Sequence, residues 1–370
     1  MRVPVSPRRV LVTADAVGGV WTYALDLARG LAAEGVTTAL AVLGPAPDAA
    51  AQAAAEAVPG LDLLVTGLPL DWTAARPCEV AAAGEAVAAL ADALDVDLVH
   101  LNGPALAARA RFPRPVVAVS HSCVATWWAA VRSGPLPADL AWRAELHGAG
   151  LRAVTLTLAP SRAHAAATAA AYSLPAPPRA VHNGRALPAP RRAEAAPFVL
   201  TAGRLWDDGK NVAALDRTAP GLPCPVVALG STRGPNGAAI QLRHAEAPGA
   251  VGPEIVADHL ARATLYVSPA AYEPFGLAVL EAAGADCPLV LSDIRTFREL
   301  WDDAAAFVPP GDDAALRETI TRLLAEPEAR RRLAEAAQAR AARYTVESMV
   351  AGTLAAYRDA LAARPDEAAA

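Results

Sequence analysis

Short apolar runs alternate with helix-period segments along nearly the whole chain, and proline breaks the alternation once. Arg9-Val10-Leu11-Val12-Thr13 reads as a buried strand. Val20, Ala24, Leu27 and Leu31 then recur at helical spacing, and Gly35 offers a stop. Thr38–Leu43, Leu98–Leu101, Pro115–Ser120 and Val154–Ala159 continue the strand series, with a helix over Ala81–Leu94. The stretch Leu174–Pro197 holds Pro175, Pro177, Pro178, Pro188, Pro190 and Pro197 with Arg191-Arg192, the composition of an extended connection. Strands restart at Phe198–Ala202, Val226–Leu229, Leu265–Ser268, Leu289–Ser292 and Phe307-Val308, and residues 314–363 read as helical. Such alternation demands right-handed crossovers and parallel sheets covered on both faces. Two doubly wound α/β domains are expected, residues 1–188 and 189–344, facing across a cleft.

Composition removes several classes. A chain of 370 residues has room for two domains of ordinary size. A net charge of −5, with no run of Lys or Arg, argues against a nucleic-acid binder. With 54% hydrophobic and 19% charged residues the chain is no disordered polymer. Cys78, Cys123, Cys224 and Cys287 have no zinc spacing and read as reduced thiols. The apolar stretch after Arg8-Arg9 is cut short by Asp15, so it is no secretory signal, and the uncharged run 163–178 contains three prolines, so it spans no membrane. A cytoplasmic protein without a transmembrane segment is expected. Peripheral membrane contact and oligomeric state stay open.

In doubly wound sheets, ligands bind beyond the carboxyl ends of the strands. After the first strand, Gly18-Gly19 opens a helix whose N–H groups can face an anion. It lacks G-x-G-x-x-G, which argues against a dinucleotide. After Phe198–Ala202 comes Gly203-Arg204-Leu205-Trp206-Asp207-Asp208-Gly209-Lys210, and Lys210 is the one lysine among 33 basic residues. A planar Arg fork and a mobile Lys charge together suit a diphosphate. A local salt bridge from Arg204 to Asp207 or Asp208 is the alternative. After Leu265–Ser268 comes Glu273-Pro274-Phe275-Gly276-Leu277, leading to Glu281 about 7 Å along a helix from Gly276. The Glu281 carboxylate could accept two hydroxyls, as a ribose diol offers. The N–H groups of Phe275, Gly276 and Leu277 would face the same anion as Lys210. For both glutamates the alternative is a helix-terminal charge and a buried ion pair. His121, after the strand ending at Ser120, could donate to a ligand hydroxyl or serve structure alone. Trp127-Trp128 could stack on a sugar or pack inside.

These residues resemble family 4 of the retaining glycosyltransferases, which have the GT-B fold of two Rossmann-like domains. Glu273 to Glu281 is similar to the family's E-x7-E signature, and Gly203-Arg204-Leu205 with Lys210 to its diphosphate clamp. Gly18-Gly19, Ala159-Pro160-Ser161, His182-Asn183-Gly184 and Ser292-Asp293-Ile294 match weaker parts. The resemblance implies that Arg204 and Lys210 bind the donor diphosphate and that Glu281 binds the ribose. Glu273, with the N–H groups of Phe275, Gly276 and Leu277, would hold sugar and phosphate. His121 would touch the donor sugar, Gly18-Gly19 would lie against the phosphates and acceptor, and the last helix, 345–363, would pack on the first domain. Three positions depart from the family pattern. The Arg204–Lys210 spacing is one residue longer than its commonest form, Arg185 follows Asn183-Gly184, and Arg162 follows Ser161.

Sugar transfer builds negative charge on the departing nucleoside diphosphate. A D-x-D metal site would need the carboxyl end of a strand, whereas Asp95-Val96-Asp97 stands before one. Arg204, Lys210 and a helix N-terminus can stabilise that charge instead. The expectation is a retaining, metal-independent glycosyltransferase with no cofactor, using a UDP-, GDP- or ADP-sugar and an unidentified acceptor. A nucleotide-sugar epimerase of the same fold and a non-catalytic nucleotide-sugar-binding protein are the alternatives.

Overall fold

The computed structural model describes residues 6–187 and 196–363. The expected domain boundary between 188 and 189 lies outside the described residues. The chain divides into two compact units. The first holds the residues up to Trp128, Gly134–Gly184 and those from Val346 onward, and the second holds Ala129–Ser133 and Arg185–Thr345.

The first unit is a seven-stranded parallel sheet: β1 (Arg9–Asp15), β2 (Thr37–Leu43), β3 (Leu61–Val65), β4 (Leu98–Leu101), β5 (Val116–Val119), β6 (Leu156–Ala159) and β7 (Arg179–Ala180). Their order is β3-β2-β1-β4-β5-β6-β7. The direction of winding therefore reverses between β1 and β4, and loops leaving that pair part to opposite faces. The central strands are apolar on both sides because helices cover both faces. Leu27 and Leu31 of helix Gly19–Ala33 share one core with Val350, Leu354 and Tyr357 of the last helix, Val346–Ala362. Gly30 permits that approach, since a Cβ there would lie 2.3 Å from Val350 Cγ2. On the other face, Val80, Ala83 and Val87 pack with Leu146.

A second close approach yields a stability prediction. A Cβ on Gly150, within helix Ala138–Ala153, would sit 1.8 Å from the Pro104 carbonyl oxygen. No rotamer relieves a clash with backbone. Gly150→Ala gains about 1 kcal/mol of helix propensity but forces the helix off the Pro104–Ala107 turn. A net loss of about 2 kcal/mol is expected, on the scale of overpacked cores, read as a lower melting temperature. An unchanged melt would show that helix and turn separate freely.

The second unit is a six-stranded parallel sheet: β8 (Val199–Ala202), β9 (Val226–Leu229), β10 (Glu246–Gly249), β11 (Leu265–Ser268), β12 (Leu289–Ser292) and β13 (Ala306–Val308). The order is β10-β9-β8-β11-β12-β13, so winding reverses between β8 and β11. Tyr266, Phe297 and Trp301 are the largest fully buried side chains of this core. Both units are thus doubly wound α/β sheets, as the alternation of the sequence predicts. Three short strands, β3, β7 and β10, were not expected. β7 lies inside the proline-rich stretch and pairs with β6 through Leu158 and Ala159.

Candidate active site

The two loops singled out in the second unit leave adjacent strands. β8 and β11 pair directly, with Val199 beside Leu265 and Leu200 beside Tyr266. Sequence separates these strands by more than sixty residues, and the reversal of winding brings their carboxyl ends together. The loops are then stitched by backbone bonds. The N–H groups of Ala271 and Tyr272 donate to the Gly209 carbonyl at 2.9 and 3.1 Å, and Asn211 Nδ2 donates to the Pro269 carbonyl at 3.0 Å. The β8 loop starts from Gly203, whose φ of 147° suits only glycine. Its N–H donates to the Leu229 carbonyl, and Gly230 packs on its carbonyl so closely that an added Cβ would lie 1.8 Å away.

On this frame Lys210 forms an ion pair with Glu273 across the two loops. Both are mostly covered, Glu273 more than Lys210. Lys210 is also fixed by its own N–H, which donates to the Asp207 carbonyl at 2.8 Å at the end of a short 3₁₀ turn. Arg204 pairs locally with Asp207 at 2.9 Å, and its guanidinium carbon lies 5.5 Å from the centre of the Trp206 ring. Its side chain stays 41% exposed, so the fork remains reachable from solvent.

Helix Leu277–Gly284 begins at Gly276, which has φ 97°. Its first intrahelical bond runs from the Leu280 N–H to the Gly276 carbonyl at 3.0 Å. The N–H groups ahead of Leu280 carry the positive end of the helix dipole. The Phe275 ring is core, packed edge-on to Tyr344 with centroids 5.7 Å apart, which anchors the loop from beneath. Glu281 is partly exposed and pairs with Arg185 at 2.9 Å. The residue that departs from the family pattern after Asn183-Gly184 therefore meets the carboxylate expected to hold a ribose. Sequence reading did not foresee that pairing.

In the first unit, Gly18 caps helix Gly19–Ala33 with extended backbone, and no side chain caps it. The turn is held by Asp15, whose carboxylate accepts from the Val17 N–H at 2.9 Å. His121 follows β5 and is partly exposed. Its Nε2 lies 2.8 Å from Asn102 Oδ1, and its ring meets Tyr23 edge-on at 4.5 Å between centroids. Burial, with His100 and His164 nearby, pushes the His121 pKa well below the usual imidazole range. Asn102 is a residue the sequence reading missed. It follows β4, the strand across the reversal from β1, and that position is the signal that could have found it.

Other motifs make local contacts. The Asp97 carboxylate accepts from the Arg8 and Arg9 N–H groups at 2.6 and 3.0 Å, tying the amino ends of β1 and β4. Asp95 takes a left-handed turn with φ 47° and pairs with Arg114 at 2.7 Å. Ser161 caps helix Arg162–Tyr172 by accepting from the His164 N–H at 3.1 Å. Trp127 and Trp128 are tilted 6.3 Å apart between centroids, and Trp128 Nε1 donates to the Gly134 carbonyl at 3.1 Å. No helix among the described residues is long and apolar enough to cross a membrane.

Residues 17–187 match the model of Glycosyltransferase Family 4, and residues 240–340 match that of Glycosyl transferases group 1. A D-inositol 3-phosphate glycosyltransferase of Frankia alni is 37% identical over 101 residues, 27% of this chain and 25% of that protein. The chain thus spans about a quarter of the length of that curated relative. Among solved structures, the sucrose-phosphate synthase of Thermosynechococcus elongatus superposes with a TM-score of 0.82 at 20% identity, covering 96% of this chain and 100% of that one. HepE of Anabaena, solved in complex with UDP and glucose, gives 0.69 at 19% identity, covering 94% and 100%.

Proposed function

From the premise that the chain belongs to the group 1 glycosyltransferases of the GT-B fold, we propose that it transfers a sugar from a nucleoside-diphosphate donor to an acceptor hydroxyl, with retention of configuration and without a metal ion. The observation that carries this reading is the Lys210–Glu273 pair, held where the β8 and β11 loops are stitched together at the reversal of winding. The positive start of helix Leu277–Gly284 leaves the same β11 loop.

The departing diphosphate gathers negative charge as the bond to the sugar breaks. Lys210 supplies a point charge, Arg204 a fork, and the helix start a set of N–H dipoles. These groups are preorganised, so little must rearrange as charge develops. Glu273 positions Lys210 and offers its second oxygen to donor hydroxyls; it is not assigned as a nucleophile. Glu281 accepts the ribose hydroxyls, with Arg185 holding its other oxygen. In the first unit, Gly18-Gly19 offers N–H groups to an anion and His121 contacts a sugar hydroxyl. The acceptor attacks from the face the leaving group departs, and a phosphate oxygen takes its proton. This route needs no separate general base. Asp97 ties the amino ends of two strands and Asp95 pairs with Arg114 in a turn ahead of a strand, so they do not fit a metal-holding role.

The test is binding followed by turnover. A nucleoside diphosphate at 100 times its dissociation constant should stabilise the protein by about 2.7 kcal/mol, read as a raised melting temperature in the presence of EDTA. UDP is the first to try, since HepE is described with UDP bound. A panel of UDP-, GDP- and ADP-sugars should then show diphosphate release once a suitable acceptor is added. Interconversion of the donor sugar with no acceptor present would instead support the epimerase. A shift with a nicotinamide dinucleotide and none with any nucleoside diphosphate would end the proposal.

A further inference from the structure

Asn102 joins two imidazoles. Its backbone N–H donates to Thr13 Oγ1 at 3.0 Å, and its Nδ2 donates to the Thr13 carbonyl at 2.7 Å. The second bond fixes the amide, because a flipped side chain would set two oxygens against each other. Oδ1 is therefore the atom that faces His121 Nε2 at 2.8 Å and His100 Nε2 at 3.1 Å. An oxygen only accepts, so both Nε2 atoms must carry hydrogen. The far side of the network agrees. Tyr357 Oη lies 2.8 Å from His100 Nδ1, which without a proton accepts from the hydroxyl. Burial lowers the His100 pKa to about 4, in keeping with a neutral ring.

We infer that Asn102 is a positioning residue that holds His121 in its Nε2–H tautomer and so leaves Nδ1 as a hydrogen-bond acceptor for a hydroxyl of the donor sugar. This rests on the reading of His121 as a donor-sugar contact. The ring would then accept where the sequence reading has it donating, and a sugar hydroxyl that donates would bind better than its deoxy or O-methyl analogue. Asn102 is braced by β1 through Thr13, so the tautomer is set by the sheet itself. The titratable groups around His121 are Tyr23 on helix Gly19–Ala33, His100 on β4 and His164 on helix Arg162–Tyr172, with Tyr357 one ring further.

Long-range proton–nitrogen NMR of the ¹⁵N-histidine-labelled wild-type protein reads the tautomer directly, with His121→Gln assigning the signal. One neutral Nε2–H form is expected; an Nδ1–H form or an imidazolium at pH 7.5 would overturn the inference. Asn102→Asp supplies a kinetic test. A carboxylate facing Nε2 draws a second proton onto His121, and Nδ1 becomes a donor. Diphosphate release at pH 7 should fall about 10–100-fold, the scale for outer partners of a functional histidine, and should recover as pH rises and the extra proton leaves. A profile parallel to that of the wild type would refute the positioning role. Absence of donor turnover in the wild type would instead defeat the transferase reading and leave the NMR result standing.

Discussion

Lys210→Ala should lower turnover by about 10²–10³, the scale for losing one preorganised donor to a developing charge. The side chain is held between two loops whose backbones bond to each other, with its ammonium on Glu273 and its own N–H on Asp207. That scaffold survives the truncation, so the loss should fall mainly on kcat rather than on donor KM. Lys210→Arg is the sharper variant. A guanidinium keeps the charge but needs a planar space and directs its donors in a fixed fork. In a loop that already carries Arg204, it should also lose activity. The partner supplies the control. Glu273→Gln leaves the ammonium in place but removes the carboxylate that aims it, so a smaller loss is expected. Steady-state kinetics beside a thermal melt separates these effects from unfolding. Wild-type rates in both lysine variants would return Lys210 to the background of basic residues.

Much of this frame was legible because buried parallel strands have little choice of composition. Leu98–Leu101, Val226–Leu229, Leu265–Ser268 and Leu289–Ser292 occupy the residues their apolar runs mark out. The strands that escaped are edges. β3 reads Leu-Asp-Leu-Leu-Val and is only half covered, and β10 reads Glu-Ala-Pro-Gly, which has no strand preference at all. Their existence is set by the neighbour they pair with, not by their own residues. The candidate site divides along the same line. Arg204, Lys210, Glu273 and Glu281 were visible because each follows a recognisable strand at a telling distance. Asn102 and Arg185 were not, since a lone Asn after a four-residue strand and an Arg beyond a turn carry no spacing. Their meaning lies in which side chain they meet, and that is a property of the sheet order. Arg204 shows the remaining gap. Its local pairing with Asp207 was one of two readings of the same loop, and composition could not choose between them.

Acidification should destabilise the protein well before its carboxylates are spent. His100, His147 and His164 are buried, and burial holds their pKa values near 4, 3 and 4. In the unfolded chain each titrates near 6.5. Between those values the unfolded state binds more protons, so stability rises with pH. The contribution is fully present above pH 6.5 and is lost as pH falls toward 4. Each ring adds a slope of about 1.4 kcal/mol per pH unit, so three rings cost about 4 kcal/mol by pH 5.5. That is a large part of the roughly 5–15 kcal/mol that ordinary domains possess. Asp71 acts in the opposite sense, since burial raises its pKa and protonation relieves it, but it is one group against three. Urea melts at pH 7.5 and 5.5 should show the difference, and His164→Gln should flatten the slope by about one ring's share. Equal stability at the two pH values would mean that water reaches these rings. His121, partly exposed, shares the direction of shift. The packing that keeps His121 neutral, and hence able to accept at Nδ1, is continuous with the packing that makes the first unit sensitive to acid. Loss of activity and loss of fold should therefore begin in the same pH window, with activity failing first in Asn102→Asp, where a carboxylate faces the Nε2 atoms of His121 and His100 and favours their charged forms.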